Sequence, residues 1–233
     1  MVCVWDREKA LELLDKLRGR YAIRENEFIA LKLITSKSEL FEVLVGIVLS
    51  QNTSDRNAIR AFSNLKRLVK NITPEALLRL PDEELQYAIA PAGLYRRRAV
   101  MLKKLASTFL TQGDYIAKKV SELDVEAARQ LLLSLPGVGP KTADVVLLMY
   151  FDKPTFPVDT NIDRVSRRLG IVSSDARYED IRRKFLELLG RETSVLRLMH
   201  LLLIQHGRET CKARKPLCDR CVVSDLCCSF AKS

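Results

Sequence analysis

The sequence predicts an all-α protein arranged as two helical lobes, on three observations. Leucine, arginine and lysine are abundant, while only 6% of residues are aromatic and nine are glycine in a chain of 233. Apolar positions recur at helical spacing and no segment alternates at period two. Neither long repeats nor a low-complexity linker interrupts the chain, which suits two closely packed lobes, and an apolar content of 47% supports a real core.

The elements follow in order. Leu11, Leu14 and Leu17 give an amphipathic helix over 6–18. Ser38 is the expected cap of a buried helix ending near Ser50, and the polar stretch "QNTSD" stops it abruptly. A second amphipathic helix spans 55–69, and Thr73–Pro74 and Pro81–Asp82 each open a short one. "GLYRRRAVMLKKLASTFL" begins at a glycine turn and predicts a helix to about Leu110. It carries Arg96, Arg97, Arg98, Lys103 and Lys104 with no acid between them. Asp124 caps 125–134, Gly170 ends the helix in "TNIDRVSRRLG", and helices near 178–189 and 194–205 complete the set.

A net charge of +10 points to a polyanionic partner, and nucleic acid fits best because Lys and Arg that neutralise phosphates release condensed counterions. A basic surface that only aids solubility fits the number too. The N-terminus becomes charged by Asp6 and lacks a signal peptide's apolar segment, and no run approaches the ~18–20 residues of a membrane span. The expectation is a cytoplasmic, intracellular monomer without membrane contact, nucleoid-associated in a prokaryote.

Between two apolar runs lies "LPGVGPKTAD". Pro136 stops one helix, Gly137 and Gly139 allow a tight turn around Val138, and Pro140 suits the first turn of the next helix. Backbone N–H groups at such a helix start would receive a phosphate, although the same residues also make an ordinary helical hairpin. Lys141 falls in that first turn, where the helix dipole disfavours its charged form; a neutral amine is what Schiff-base chemistry requires. Most lysines are instead solvated or touch phosphate. Asp159 is the natural acidic partner. The helix from Lys141 to Phe151 rises ~15 Å, and the loop after it can retrace ~23 Å. A plain N-cap for the next helix is the other reading of Asp159.

Cys211, Cys218, Cys221 and Cys227 are spaced C-x6-C-x2-C-x5-C, and four thiolates this close would enclose a zinc ion or an iron–sulfur cluster. The intervening loop carries Lys212, Arg214 and Lys215, suited to phosphate. Cys3 lies alone, Cys228 reads as a spare thiol, and His200 and His206 read as structural.

Together "LSQNTSD", "GLYRRRA", "LPGVGPKTADVVL", "FPVDTNIDRV" and "HGRETCKARKPLCDRC" through Cys227 resemble the endonuclease III family of DNA glycosylases, of the helix-hairpin-helix/Gly-Pro-Asp superfamily. The resemblance implies a six-helix barrel over 34–152, with 1–33 and 153–233 forming a lobe that holds a [4Fe–4S] cluster on the four cysteines. It implies double-stranded DNA carrying a damaged base or abasic site as partner. Lys141 matches the catalytic lysine and Asp159 the catalytic aspartate; Gly137, Val138 and Gly139 would contact DNA. Gln51 or Asn52 would fill the gap left by a flipped base, and Leu94 would wedge the opposite strand. Asn161 stands where a His is common and Asp144 where an Asn is common, which bears on lesion preference. The implied activity is excision of oxidised pyrimidines with β-elimination 3′ to the site. Alternatives are a mismatch glycosylase removing thymine or uracil opposite guanine, and a non-catalytic hairpin module that binds DNA; Lys141 with Asp159 argues against the last.

Overall fold

The computed structural model describes residues 3–35 and 38–230, and every regular element among them is helical. Contacts divide the chain into two compact units, Arg24–Phe151 and Met1–Ile23 with Asp152–Ser233. None of the described helices is long and apolar enough to cross a membrane.

The central unit contains α2 (Ile29–Thr35), α3 (Leu40–Ser50), α4 (Asp55–Val69), α5 (Pro74–Arg79), α6 (Asp82–Ile89), α7 (Tyr95–Glu122), α8 (Val125–Leu133) and α9 (Pro140–Val145). α9 continues as a π-helical turn over Val146–Tyr150. α3 is its axis: Leu40, Phe41 and Val43 through Leu49 are all buried, so it is apolar all round as a core helix must be. α2, α4, α7 and α9 pack on it. Gly46 permits the approach of α2, since a side chain there would collide with Leu33. Residues 24–33, expected with the terminal lobe, therefore lie in the central unit. The cap hydrogen bonds match the sequence reading at Thr73, whose Oγ1 accepts from Ala76 N–H, and at Asp124, whose Oδ1 accepts from Glu126 and Ala127 N–H.

Two expectations here are corrected. α3 starts only at Leu40 with Glu39 at its N-cap, and Ser38 is buried before it instead of capping it. α7 does not stop near Leu110 but runs to Glu122. Its apolar stripe of Leu102, Leu105 and Phe109 continues through Ile116 and Val120, and Gly113 only makes room beside Phe109.

The terminal unit contains α1 (Arg7–Arg20), α10 (Thr160–Leu169), α11 (Tyr178–Leu189) and α12 (Thr193–Glu209), with α12 packed against the other three. The Trp5 indole N–H donates to the Leu169 carbonyl at 3.2 Å, fastening the N-terminal segment to the end of α10. Cys228 is not a spare thiol, as a disulfide joins it to Cys3 with the Cα atoms 6.3 Å apart. Spacing gave no hint of that pair because 225 positions separate its members. Gly170, with φ at 77°, leaves the room: an added Cβ would sit 2.9 Å from Cys228 Cβ and 3.2 Å from Cys3 Cβ.

Closing so long a loop removes unfolded-state entropy equivalent to at most ~5 kcal/mol. Reductant is expected to lower the thermal midpoint of the wild type and leave that of Cys3→Ser unchanged. Calorimetry with and without reductant, alongside non-reducing gel mobility, measures it.

Candidate nucleic-acid interface and cysteine centre

The hairpin joins α8 to α9. Gly137 takes φ of 81°, and any Cβ there would crowd Met101, including its Cγ at 2.6 Å, so the turn needs glycine for both reasons. Gly139 is extended, caps α9 without a side chain, and has open space where a Cβ would be. Val138 is buried and anchors the turn, its N–H bonded to Leu135 O. Across the hairpin, Arg129 Nε of α8 meets Asp144 Oδ1 of α9 at 3.0 Å, both side chains being almost fully buried. Asp144 thus staples the two helices and has no exposed surface from which to read a base.

Gln51 reaches the same turn. Its Nε2 donates to Gly137 O at 2.8 Å and to Thr142 Oγ1 at 3.1 Å. Asn52 beside it is exposed and adopts φ of 52°, a left-handed conformation that Asn tolerates well. Lys141 follows the hairpin, half-buried at the start of α9, and within this unit its amine has no hydrogen-bond partner among the described residues.

Arg98, grouped by sequence with a basic run, points inward and is 4% exposed. Its guanidinium donates to the carbonyls of Val48, Gln51, Ala92 (3.3 Å) and Gly93 (2.8 Å). Burial lowers its pKa below the ordinary arginine value. One side chain thereby fixes both the turn after α3 and the turn before α7. Sequence reading missed it, though the signal was present: Arg98, Leu102, Leu105 and Phe109 share one helical stripe. Lys103 is also engaged, with Asp82 and the Leu80 carbonyl, whereas Arg96 and Arg97 are exposed. Leu94 stands at the head of α7 at φ 49°, 61% exposed, a strained apolar side chain held out to solvent.

In the terminal unit the segment before Asp159 is anchored residue by residue. Thr155 bonds Arg182, Phe156 stacks on Phe185 with ring centroids 4.2 Å apart, Pro157 O meets His200 Nδ1 at 3.0 Å, and Val158 N–H donates to Tyr178. Asp159 is indeed an N-cap: its Oδ1 accepts from the N–H groups of Asn161 and Ile162 at 2.9 and 2.8 Å. Its Oδ2 accepts from the Asn161 side-chain amide at 2.8 Å.

Cys211, Cys218, Cys221 and Cys227 line one cavity of about 210 Å³, closed by Leu169, His206, Leu217 and Phe230. Burial pushes the Cys221 thiol up, and the three neighbouring cysteines act in the same direction. All four cysteines line this shared cavity. A multi-atom group with thiolate ligands fits this arrangement. Arg168 supports it by donating to Cys211 Sγ (3.4 Å) and to the carbonyls of Lys212 (2.7 Å) and Ala213 (3.1 Å), which shapes the loop on which Lys212, Arg214 and Lys215 are exposed. His206 is structural, but it sits close to this centre. Its Nδ1 lies 3.0 Å from the Tyr21 hydroxyl and its Nε2 3.9 Å from Cys221 Sγ. Burial, reinforced by the Arg164 charge, holds its pKa down at about 4.

Residues 45–191 match the model for HhH-GPD superfamily base excision DNA repair proteins, and 211–227 match the iron–sulfur binding domain of endonuclease III. The chain is 39% identical over 218 residues to endonuclease III of Sulfolobus acidocaldarius, covering 94% of this chain and 95% of that protein. Identity to endonuclease III of Escherichia coli strain K12 is 35% over 222 residues, with 95% and 96% covered. The fold superposes on a non-covalent endonuclease III–DNA complex with a TM-score of 0.80 at 28% identity, covering 98% of each chain. It superposes on a trapped endonuclease III–DNA covalent intermediate at 0.77 and 27% identity, covering 98% of this chain and 99% of that one.

Two variants test the supports of the hairpin and its neighbouring turns. Arg129→Ala removes the guanidinium from the buried Asp144 carboxylate and should cost ~3–5 kcal/mol, whereas replacing both by leucine should cost much less. Arg98→Met strands buried carbonyls and should cost ~3 kcal/mol. Urea unfolding of each purified variant reads both effects.

Proposed function

Because the chain belongs to the HhH-GPD superfamily of base excision DNA repair proteins, we propose that it is a bifunctional DNA glycosylase and abasic-site lyase acting on oxidised pyrimidines in double-stranded DNA. The observation that carries this reading is Lys141: a half-buried amine, unpartnered within its unit, set directly behind a hairpin whose Gly139 keeps the approach open. One similar structure is a trapped covalent intermediate of endonuclease III with DNA, the kind of adduct an amine nucleophile forms.

The damaged nucleotide leaves the stack. The amides of Gly137, Val138 and Gly139 receive the backbone phosphate, and exposed Asn52 fills the gap. Gln51 is engaged with Gly137 and Thr142, which favours Asn52 for that task. Leu94, exposed and strained, wedges the opposite strand. The Lys141 Nζ lone pair forms a bond to the sugar C1′ as the C1′–N bond to the base breaks, and the base departs with a proton. Sugar ring opening gives an iminium. Loss of a 2′ proton then expels the 3′ phosphate, cutting the strand 3′ to the lesion. Asp159 faces the positive charge that develops on the sugar and takes protons from it.

Cys211, Cys218, Cys221 and Cys227 hold a [4Fe–4S] cluster, which when bound supplies a rigid charged platform and no part of the excision chemistry. The residues around it present Lys212, Arg214 and Lys215 to phosphate. We place the protein with the DNA it repairs, in the cytoplasm or nucleoid.

Borohydride reduction of the Schiff base tests the mechanism. Wild type incubated with abasic-site or thymine-glycol duplex should give a covalent adduct, and Lys141→Gln should give none while cleaving at least ~10³-fold more slowly. No wild-type adduct on either duplex would refute the lyase reading. Faster base release from a guanine–thymine mismatch than from thymine glycol would favour a mismatch glycosylase.

A further inference from the structure

Asn161 and Arg164 form a connection that the proposed chemistry leaves unused. Asn161 donates its side-chain amide to Asp159 Oδ2 at 2.8 Å, and its own Oδ1 accepts from Arg164 Nη2 at 2.9 Å. Arg164 extends the chain further. Its Nη2 also reaches Gly207 O at 2.9 Å, its Nε reaches Cys211 O at 3.0 Å, and its Nη1 reaches Thr160 O at 3.3 Å. Space for this packing exists because position 207 is glycine. A Cβ there would fall 2.7 Å from Asn161 Cβ, 3.1 Å from Asn161 Oδ1 and 3.1 Å from Arg164 Nη2.

The physical consequence concerns orientation. An N-capping carboxylate bound through Oδ1 alone is held on one side only, and because its χ2 torsion is broad both oxygens can rock together about the Cβ–Cγ bond. The Asn161 amide removes that freedom by holding Oδ2 as well. Asn161 is itself a terminal amide with the same broad torsion, and Arg164 fixes it by a planar fork that cannot turn without losing its carbonyls. Two of those carbonyls, Gly207 of α12 and Cys211, the first of the four cysteines, lie outside α10, so the carboxylate plane is tied to the segment that enters the cysteine centre.

We propose that Asn161 and Arg164 are positioning residues for Asp159, which tie the orientation of its carboxylate to the cysteine loop. The proposal rests on the reading of Asp159 as the carboxylate of the excision reaction. Misplacing a reacting group by about an ångström can cost ~100-fold in rate with binding intact. Loss of the amide therefore acts on the chemical step and not on DNA affinity.

The test uses the full-length, iron-loaded protein and a thymine-glycol duplex under single-turnover conditions, with dissociation constants measured on a duplex carrying a non-cleavable abasic analogue. Asn161→Ala should slow strand cleavage by ~10- to ~100-fold, with the dissociation constant within about twofold of wild type and the iron content and visible absorption unchanged. Asn161→Asp keeps the acceptor for Arg164 but has no donor for Asp159, and should be at least as slow. Asn161→His restores a ring N–H and should recover most of the rate. Arg164→Gln, which releases the Cys211 carbonyl, should alter the visible circular dichroism of the cluster as well as slow cleavage. The inference is overturned if Asn161→Ala cleaves at the wild-type rate, if Asn161→Asp does so, or if the slowing is matched by lost iron or weakened DNA binding. A wild type inactive on both thymine-glycol and abasic-site duplexes would instead refute the reading on which it rests.

Discussion

In each unit, a buried or half-buried arginine collects several carbonyl oxygens around helix ends and turns. Arg98 does this for the turns at Val48–Gln51 and Ala92–Gly93, and Arg164 for Thr160, Gly207 and Cys211. Turns that stop a helix expose acceptors, and a guanidinium offers several donors in one rigid plane. The candidate functional segments of both units adjoin such turns. Their shape is therefore fixed from inside the protein, before any ligand meets them.

In the central unit this order is handed on. Arg98 holds the Gln51 carbonyl, and the Gln51 side chain grips Gly137 O and Thr142 on either side of the hairpin. The Arg129–Asp144 pair holds the helices that flank it. Lys141 thus emerges from a backbone constrained on three sides, which reduces the reorganisation required when a substrate arrives. The terminal unit achieves the same for Asp159 through aromatic stacking, the Tyr178 and His200 contacts, and the hydrogen bonds of Asn161.

Much of this was legible in the sequence. Helix starts at Thr73, Asp124 and Pro140 follow from short-range chemistry, because a cap or an N1 proline acts within one turn. The placing of Lys141 at a helix start, of Asp159 at a cap and of four cysteines within one short segment was equally readable, since each is local. What escaped was decided by partners far along the chain. Arg98 looked like its exposed neighbours Arg96 and Arg97 until its stripe was seen to face α3. The helix predicted to end near Leu110 runs on to Glu122, with Gly113 making room beside Phe109. Gln51 and Asn52 were interchangeable as letters, and only the hairpin across from them told the two apart.

The sequence by itself determined the helical class, the hairpin with its lysine, the capping aspartate and the four-cysteine centre, because each depends on residues within a turn or a short loop of one another. Tertiary structure alone decided that Cys3 pairs with Cys228, that Arg98 is internal, that Asp144 is a staple, and that Asn161 and Arg164 link Asp159 to Cys211. Disulfides, buried ion pairs and hydrogen-bond chains depend on distances in space. One-dimensional spacing encodes those distances only where the chain is locally regular.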